Sequence, residues 1–334
     1  KRSDRFVLIG MGPAGVVTRL LSTRFGSCWT YAGDGIAPGQ VAVAEMVRQY
    51  RFKDISSSTS IYGVAGAPIG HSLSPPMHNA AFSMDGLDAV YVPFEATSVS
   101  DLMGLTDSLG VIGLSVTAPF KESMLRYLGD IDHLSRQVGA VNTLRLGQEG
   151  WAGRNTDVSG FLAPLNPSIR TRMNRATVLG AGGAARAVAV ALSSRGSAVT
   201  VCARRPDRAM AVAGLVGGNV GTLPPKPGSW DLLVNTTPVG TFPEADRSPM
   251  PTGTLTGGSI VYDLVYNPDR TRLLREAEAS GCETIGGLDM LAAQAVKQYE
   301  WWVGSSPSVE LFREAAQTAL RERGEGEVDG PNFF

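Results

Sequence analysis

The sequence predicts an α/β protein of two domains, each built on an open, largely parallel sheet. Three observations carry that expectation. From residue 61 to 128, short apolar runs rich in β-branched side chains alternate with helical patterns. Residues 176–208 read as strand, glycine-rich turn, helix and strand, a βαβ unit. The 334 residues also exceed what a single hydrophobic core commonly organises.

In chain order, residues 5–10 (RFVLIG) read as a strand, 16–22 as a helix, 27–32 as a strand and 41–50 as a helix. Residues 51–60 (RFKDISSSTS) are polar and serine-rich, as a linker is. A new strand is expected over 61–65, then a helix (75–85), strand (89–93), helix (99–109), strand (111–117) and helix (121–128). Residues 141–146 and 150–155, separated by a turn that begins at Gly147, read as a hairpin. Beyond the βαβ unit, strands are expected at 232–235 and 259–264 and helices at 288–303 and 309–321; residues 324–334 read as a frayed tail.

The βαβ unit carries the most specific local signal. Its first turn, Gly180-Ala181-Gly182-Gly183-Ala184-Ala185, fits G-x-G-x-x-A. Gly180 permits the tight turn, Gly182 lets the backbone approach a pyrophosphate, and Ala185 keeps helix and strand close. The helix N-terminus then offers free N–H groups to the phosphates. This makes the second domain Rossmann-type. An NAD site wants a carboxylate at the end of the second strand. Here stand Ala203, Arg204 and Arg205, with Arg208 a turn further on. Guanidiniums suit a 2′-phosphate bidentately, so the expected cofactor is NADP(H).

Thirty Lys and Arg balance 31 Asp and Glu, which gives no footing to nucleic acid or a membrane surface as partner. Cys28, Cys202 and Cys282 are too few for a disulfide framework, and His71, His78 and His133 share no metal-like spacing, so no metal is expected. No apolar run approaches the ~18 residues of a membrane span, and no secretory leader is apparent. A cytoplasmic protein is the expectation.

Four further segments carry candidate chemistry. Ser72 and Ser74, two apart, would present both hydroxyls to one side of an extended segment and suit a small carboxylate; Ser74 before Pro75 would equally suit a helix N-cap. Lys121 closes Ser115-Val-Thr117-Ala-Pro-Phe, at the end of a strand and in the first turn of a helix, where a general acid or base would sit in an open α/β sheet or where a solvated lysine would equally do. Asp157, after Gly153-Arg-Asn155-Thr, is either a helix N-cap or the partner of Lys121 in a proton-handling pair. Asn142 and Gln294 each offer an amide that both donates and accepts.

With these residues in view, residues 59–323 resemble shikimate dehydrogenase. The matching pieces are GHSLSP, VTAPFK, GAVNT, GRNTD, VLGAGGAARA, NTTPVG, YDLVY and GGLDMLAAQA, all in the family's order. The resemblance implies NADPH-dependent, reversible reduction of 3-dehydroshikimate to shikimate. It implies that Ser72 and Ser74 hold the substrate carboxylate with Thr117 and Tyr266, and that Lys121 and Asp157 are the catalytic pair. Lys121, Asn142, Asp157 and Gln294 contact the ring oxygens. Residues 180–184, Arg204, Arg205, Arg208, Thr236 and Gly287 bind the cofactor, and a cleft between two domains closes over the reaction. Two positions depart from the family: Ser115 and Ala203 each stand where Asn is usual. The first puts one expected substrate hydrogen bond in doubt, and the second loosens the adenine side unless Arg205 compensates.

Residues 1–58 resemble instead the last two βα units of type I dehydroquinate dehydratase, through residues 11–20 and Ala37-Pro-Gly-Gln40. The resemblance implies a remnant of a (β/α)8 barrel in which Arg19 and Gln40 would meet dehydroquinate. The residues matching the Schiff-base lysine and its histidine would lie upstream, so no dehydratase activity is expected and the chain reads as the C-terminal portion of a bifunctional protein. Two orphan βα units expose sheet edges and apolar faces, so self-association through residues 1–58 is expected. The expected division is 1–58 remnant and linker, 59–156 substrate domain, 157–287 cofactor domain, 288–323 helices returning to the substrate domain, and 324–334 tail. Two alternatives stay open: a quinate/shikimate dehydrogenase using NAD, and a non-catalytic NADP-binding sensor.

Overall fold

The computed structural model describes residues 5–33 and 39–326, the side chains of 325 and 326 excepted. The chain divides into two compact units. One comprises residues 1–131, 141–154 and 298–319, the other 132–140, 155–297 and 320–334.

Unit 1 is organised on six strands: β1 (Ser60–Gly66), β2 (Ala89–Glu95), β3 (Val111–Val116), β4 (Asp130–Ile131), β5 (Thr143–Gly147) and β6 (Gly150–Arg154). Their order across the sheet is β2-β1-β3-β5-β6-β4. β1 is parallel to both β2 and β3, whereas β5 runs antiparallel to β3 and to β6, the hairpin read from the sequence. Helices α1 (Val16–Leu20), α2 (Val43–Arg48), α3 (Ser74–Met84) and α4 (Val99–Leu109) accompany this unit. α4 shows why its ends fall where they do: Ser98 Oγ accepts from Asp101 N, and Gly110 closes the helix in the left-handed region at φ 66°.

Unit 2 is a parallel sheet of β7 (Arg175–Leu179), β8 (Ala198–Cys202), β9 (Asn219–Val220), β10 (Leu232–Asn235), β11 (Ile260–Asp263) and β12 (Glu283–Ile285), ordered β12-β11-β10-β7-β8-β9. β10 and β11 are buried throughout, as central parallel strands covered on both faces must be. Its helices are α5 (His133–Val138), α6 (Asp157–Leu162), α7 (Pro167–Arg170), α8 (Gly183–Ser193), α9 (Pro206–Gly214) and α10 (Arg272–Ala279). Two long helices close the chain, α11 (Gly287–Val303) and α12 (Val309–Gly326), and the division between units falls within each. α12 thus continues beyond its expected end; residues 327–334 of the expected tail lie outside the described residues.

Three expectations are corrected. Residues 5–10 and 27–32 form no strand. Cys28 N donates to Phe6 O at 3.0 Å and Leu8 N to Ser27 Oγ at 3.0 Å, but no ladder follows. Two apolar segments with no further strand beside them gain too little to hold a sheet. Residues 121–128 form a 3-10 turn (Ser123–Tyr127) and not an α-helix. Phe120 O holds Met124 N at one end and Trp151 O holds Gly129 N at the other, which leaves room only for tight turns. α5 and α10, short and capped by Asp132 and Thr271, and α9, which opens at Pro206 without a side-chain cap, were not read from the sequence.

Residues 5–33 and 39–58 do not stand apart from unit 1. Val17, Leu20, Leu21, Val41, Met46, Tyr50 and Ile55 share one buried cluster with Val90, Val92, Leu102 and Leu109. The same segment leaves Phe6, Leu8, Met11, Trp29, Tyr31 and Val43 exposed.

Candidate functional site

In unit 1 the candidate residues collect beyond the carboxyl ends of the parallel strands β1 and β3. Backbone bonds staple the two following loops: Thr117 N donates to Ala65 O at 2.8 Å and Ala67 N to Ala118 O at 3.1 Å. At Gly66 a Cβ would lie 2.4 Å from Thr117 Cγ2 and 2.9 Å from Ala118 O, so only glycine allows this approach. Asn142 joins them because its carbonyl accepts from Val116 N (2.8 Å) and its N–H donates to Arg154 O (3.1 Å). Lys121 O in turn accepts from Val141 N at 2.9 Å. Ser72, Ser74, Thr117, Lys121 and Asn142 are thereby brought to one edge of the sheet.

Their local conformations differ from the sequence reading in two respects. Ser72 and Ser74 are not in an extended segment: Ser72 N closes a turn onto Ile69 O, and Ser74 is the first residue of α3. Ser74 does not cap the helix either; Ser72 Oγ accepts from Ser74 N at 3.2 Å. Lys121 precedes the 3-10 turn and is half-buried, so the positive end of a helix dipole does not bear on it. Asn142 is buried, and its Oδ1 accepts from Thr143 Oγ1 at 2.9 Å.

In unit 2, Asp157 is the first residue of α6 and buried. It is not the cap of that helix; Asn155 Oδ1 accepts from Val158 N, while Asn155 Nδ2 donates to Ala140 O at 2.9 Å. α6 lies close against α11 at Gly160, where a Cβ would fall 2.6 Å from Gln294 Cβ and 3.0 Å from Gln294 N. Thr156 Oγ1 then donates to Gln294 Oε1 at 3.4 Å, and Gln294 Nε2 to Leu291 O at 2.9 Å. Asp157 and Gln294 thus share a buried corner. Tyr266, half-buried, follows β11.

The glycine-rich turn follows β7. Gly180 takes φ +111°, and a Cβ there would fall 2.5 Å from Thr236 Oγ1, so both conformation and packing exclude other residues. Thr236 N and Oγ1 both donate to Leu179 O, at 2.9 and 2.7 Å, which holds the loop after β10 beside the turn. Gly182 caps α8 with no side-chain bond to the helix, and a Cβ there would meet nothing within 4 Å. The fold itself therefore does not require glycine at 182. Ala185 is fully buried in the core between helix and sheet. Gly287 opens α11, and a Cβ would lie 2.4 Å from Leu264 O. Arg204 and Arg205 are exposed between β8 and α9, and Arg208 is exposed in the first turn of α9.

The sequence reading missed two polar networks. In unit 2, Asp263 accepts from Asn235 Nδ2 (2.9 Å), Thr271 Oγ1 (2.6 Å) and Val265 N (3.1 Å). Asn235 Oδ1 in turn accepts from Thr237 N and Oγ1. Burial pushes the Asp263 carboxyl up to about 6, with the bonds from Thr271, Val265 N and Asn235 pulling it back. Its signal lay in the quoted NTTPVG and YDLVY pieces, where Asn235 and Asp263 stand at the ends of adjacent strands. In unit 1, Tyr91 Oη donates to Ser115 Oγ (2.6 Å) and Ser115 Oγ to Gln298 Oε1 (2.7 Å). Gln298, four residues after Gln294 on the same face of α11, was the legible sign. His78, on α3, is fully buried; burial lowers it to about 3, against a raising bond to Gln298. Among the described residues no cluster of His, Cys, Asp or Glu is set to hold a metal. No helix there is long and apolar enough to cross a membrane.

Three family models match the chain. Residues 64–144 match the shikimate dehydrogenase substrate binding domain, residues 287–317 the shikimate 5'-dehydrogenase C-terminal domain, and residues 2–57 type I 3-dehydroquinase. Shikimate dehydrogenase (NADP(+)) of Methanothermobacter thermautotrophicus is 38% identical over 279 residues, covering 80% of this chain and 99% of that protein. The chloroplastic bifunctional 3-dehydroquinate dehydratase/shikimate dehydrogenase of Arabidopsis thaliana is 32% identical, with 90% of this chain matching 54% of its length. The crystal structure of shikimate 5-dehydrogenase from Thermus thermophilus in complex with NADP(H) and shikimate is 38% identical, with a TM-score of 0.71 over 78% of this chain and 99% of that one.

Proposed function

The chain belongs to the shikimate dehydrogenase family, and from that premise we propose that it interconverts 3-dehydroshikimate and shikimate with NADP(H). The observation that carries this reading is the collection of Ser72, Ser74, Thr117, Lys121 and Asn142 at the carboxyl edge of β1 and β3, in a chain 38% identical to an NADP-dependent relative. Open α/β sheets bind their ligands at that edge.

Ser72 and Ser74 take the substrate carboxylate, with Thr117 and Tyr266 assisting. Asn142 and Gln294 hold ring hydroxyls. NADPH, when bound, supplies the hydride. As charge develops on the ring oxygen, the Lys121 ammonium gives it a proton, and Asp157 is the acidic member of the pair; in the reverse direction Lys121 takes that proton back. The cofactor's pyrophosphate fits the turn 180–184: Gly182 leaves open space, and α8 presents N–H groups that no side chain caps. Thr236 lies beside that turn, Gly287 opens α11 against Leu264, and Arg204, Arg205 and Arg208 are free of burial and suited to a 2′-phosphate. No carboxylate stands at 203–205 to favour NAD. This substrate domain is drawn from residues 59–156 with the helices 288–323, and the cofactor domain from 157–287. The three free cysteines suit the reducing cytoplasm.

The test is absorbance at the reduced-nicotinamide band, with shikimate or quinate against NADP⁺ or NAD⁺. Turnover with shikimate and NADP⁺, lost by about 10²–10⁴-fold in Lys121→Ala, is the expected result. Preference for quinate with NAD⁺ would overturn the reading of the arginines, and cofactor binding without turnover would favour a sensor.

We propose also that copies of the chain associate through residues 1–58. The exposed side chains of Phe6, Leu8, Met11, Trp29, Tyr31 and Val43 in this segment support this, with Trp29 (51% exposed) and Tyr31 (55%) in edge-to-face contact. Sedimentation velocity should give a dimer or larger species that Trp29→Asp reduces to monomer; a monomeric wild type sinks the idea.

A further inference from the structure

Ala140 and Val141 are both fully buried, so the peptide that joins them must pair its carbonyl and its N–H within the protein. It does so on both sides. Val141 N donates to Lys121 O at 2.9 Å, and Ala140 O accepts from Asn155 Nδ2 at 2.9 Å. The peptide is planar, so its acceptor and its donor move as one stiff piece. A line of hydrogen bonds thus runs from the Asn155 amide, through one peptide, to the main chain of Lys121.

The chemistry of the amide dictates how Asn155 is turned. A carbonyl only accepts, so the atom on Ala140 O is the amide nitrogen. Oδ1 therefore faces the other way, where it accepts from Val158 N at 3.3 Å. That bond holds the first turn of α6, and the first residue of α6 is Asp157. Asn155 is only 5% exposed, and each half of its amide has its own partner. It follows directly on Arg154, whose carbonyl accepts from Asn142 N at 3.1 Å. Backbone pairing of the β5–β6 hairpin ends there, and a side chain takes over as the main chain turns into α6.

We propose that Asn155 is a positioning residue for the acid–base pair: its one amide ties the first turn of α6, which carries Asp157, to the peptide that holds the main chain of Lys121. This rests on the reading of Lys121 and Asp157 as that pair. Proton transfer needs its groups within hydrogen-bond reach, and a misplacement of about 1 Å can cost about a hundredfold in rate. A helix cap alone would do half of this work. Asn, Asp and Ser cap helices about equally well, since each offers an oxygen to the N–H groups of the first turn. Of the three, only Asn brings a proton to Ala140 O: ionised Asp has none to give, and the Ser hydroxyl ends one atom short.

The test compares Asn155→Ser and Asn155→Asp in the full chain, each with the cap of α6 kept. With shikimate and NADP⁺, kcat should fall about 10- to 100-fold in both, while the KM for each ligand changes less than about threefold. A merely structural loss would lower the melting temperature and the folded fraction, so turnover is read per folded molecule, below the melting transition of each variant. In an Asp157→Asn background, Asn155→Ser should lower kcat no further, since residues that act as a unit are not additive. A wild-type kcat in Asn155→Ser shows that capping is all the residue does and overturns the proposal. A fall confined to Asn155→Asp, which its added charge explains, or a further loss in the Asp157→Asn background overturns it as well. Should Asp157→Asn alone leave kcat unchanged, Asp157 is no member of the pair and the premise fails, a result the Asn155 variants do not mimic.

Discussion

Unit 1 buries the line of Tyr91, Ser115, Gln298 and His78; unit 2 buries the cluster of Asn235, Asp263 and Thr271. Both lie under loops that carry candidate site residues, yet they hold titratable groups of opposite kind. The first joins residues 220 positions apart, His78 and Gln298, and contains a basic group that burial keeps uncharged. The second joins the ends of neighbouring strands and contains an acidic group that burial makes reluctant to lose its proton. A buried network tolerates a titratable group only in its neutral form or with full hydrogen bonding, and the two units solve that problem from opposite ends of the pH scale. Their contributions to stability must therefore tilt in opposite directions with pH.

The larger tilt belongs to His78. Its pKa falls from 6.5 to about 3 in the fold, so the unfolded chain takes up a proton that the folded chain refuses. The stability it contributes is complete above pH 6.5 and is lost as pH falls toward 3. At about 1.4 kcal/mol for each tenfold change in proton affinity, the loss reaches up to ~5 kcal/mol. Melting curves of wild type and His78→Gln between pH 4 and 8 should draw together, or cross, on the acid side. A difference independent of pH would mean that the imidazole takes up its proton in the fold as readily as in the unfolded chain, with Nε2 donating to Gln298 Oε1 in either state.

Much of this molecule was legible because it is local. The turn at Gly180 announces itself through residues that nothing else would explain, and the structure gives the reason in a φ of +111° and a Cβ that would strike Thr236. β1, β3, α4 and the hairpin of β5 and β6 fall where period and turn residues put them. What was not legible depends on partners distant in sequence. Ser115 looked like a doubtful substrate bond; the residue is 6% exposed and its hydroxyl is committed to Gln298, which no window around residue 115 reveals. The runs at 5–10 and 27–32 carry as much strand character as β10, but β10 lies between β7 and β11 and they have no such neighbours. A strand is a property of a sheet, and a periodic run is only its precondition. The apolar faces of α1 and α2 were legible as faces in need of cover; that part of the cover is the chain's own β2 and α4 was not.

The smaller and opposite tilt belongs to Asp263. Its pKa rises from 3.8 to about 6 in the fold, so it is the folded chain that holds its proton longer. The stability it contributes is complete below pH 3.8 and is lost as pH rises through about 6, by up to ~3 kcal/mol on the same scale. Asp263→Asn carries a neutral group of the same shape, so wild type should lose ground to it as pH is raised from 4 to 8, while it gains ground on His78→Gln over the same range. The loops at stake hold Thr236 and Tyr266, since Asn235 orders Thr237 and Asp263 anchors Val265 N. Raising pH through about 6 should therefore raise the KM for cofactor or substrate in wild type before it unfolds the protein, and Asp263→Asn should blunt that rise. If the two difference curves slope the same way, burial is not what distinguishes the networks, and the charge state of one of them has been assigned wrongly.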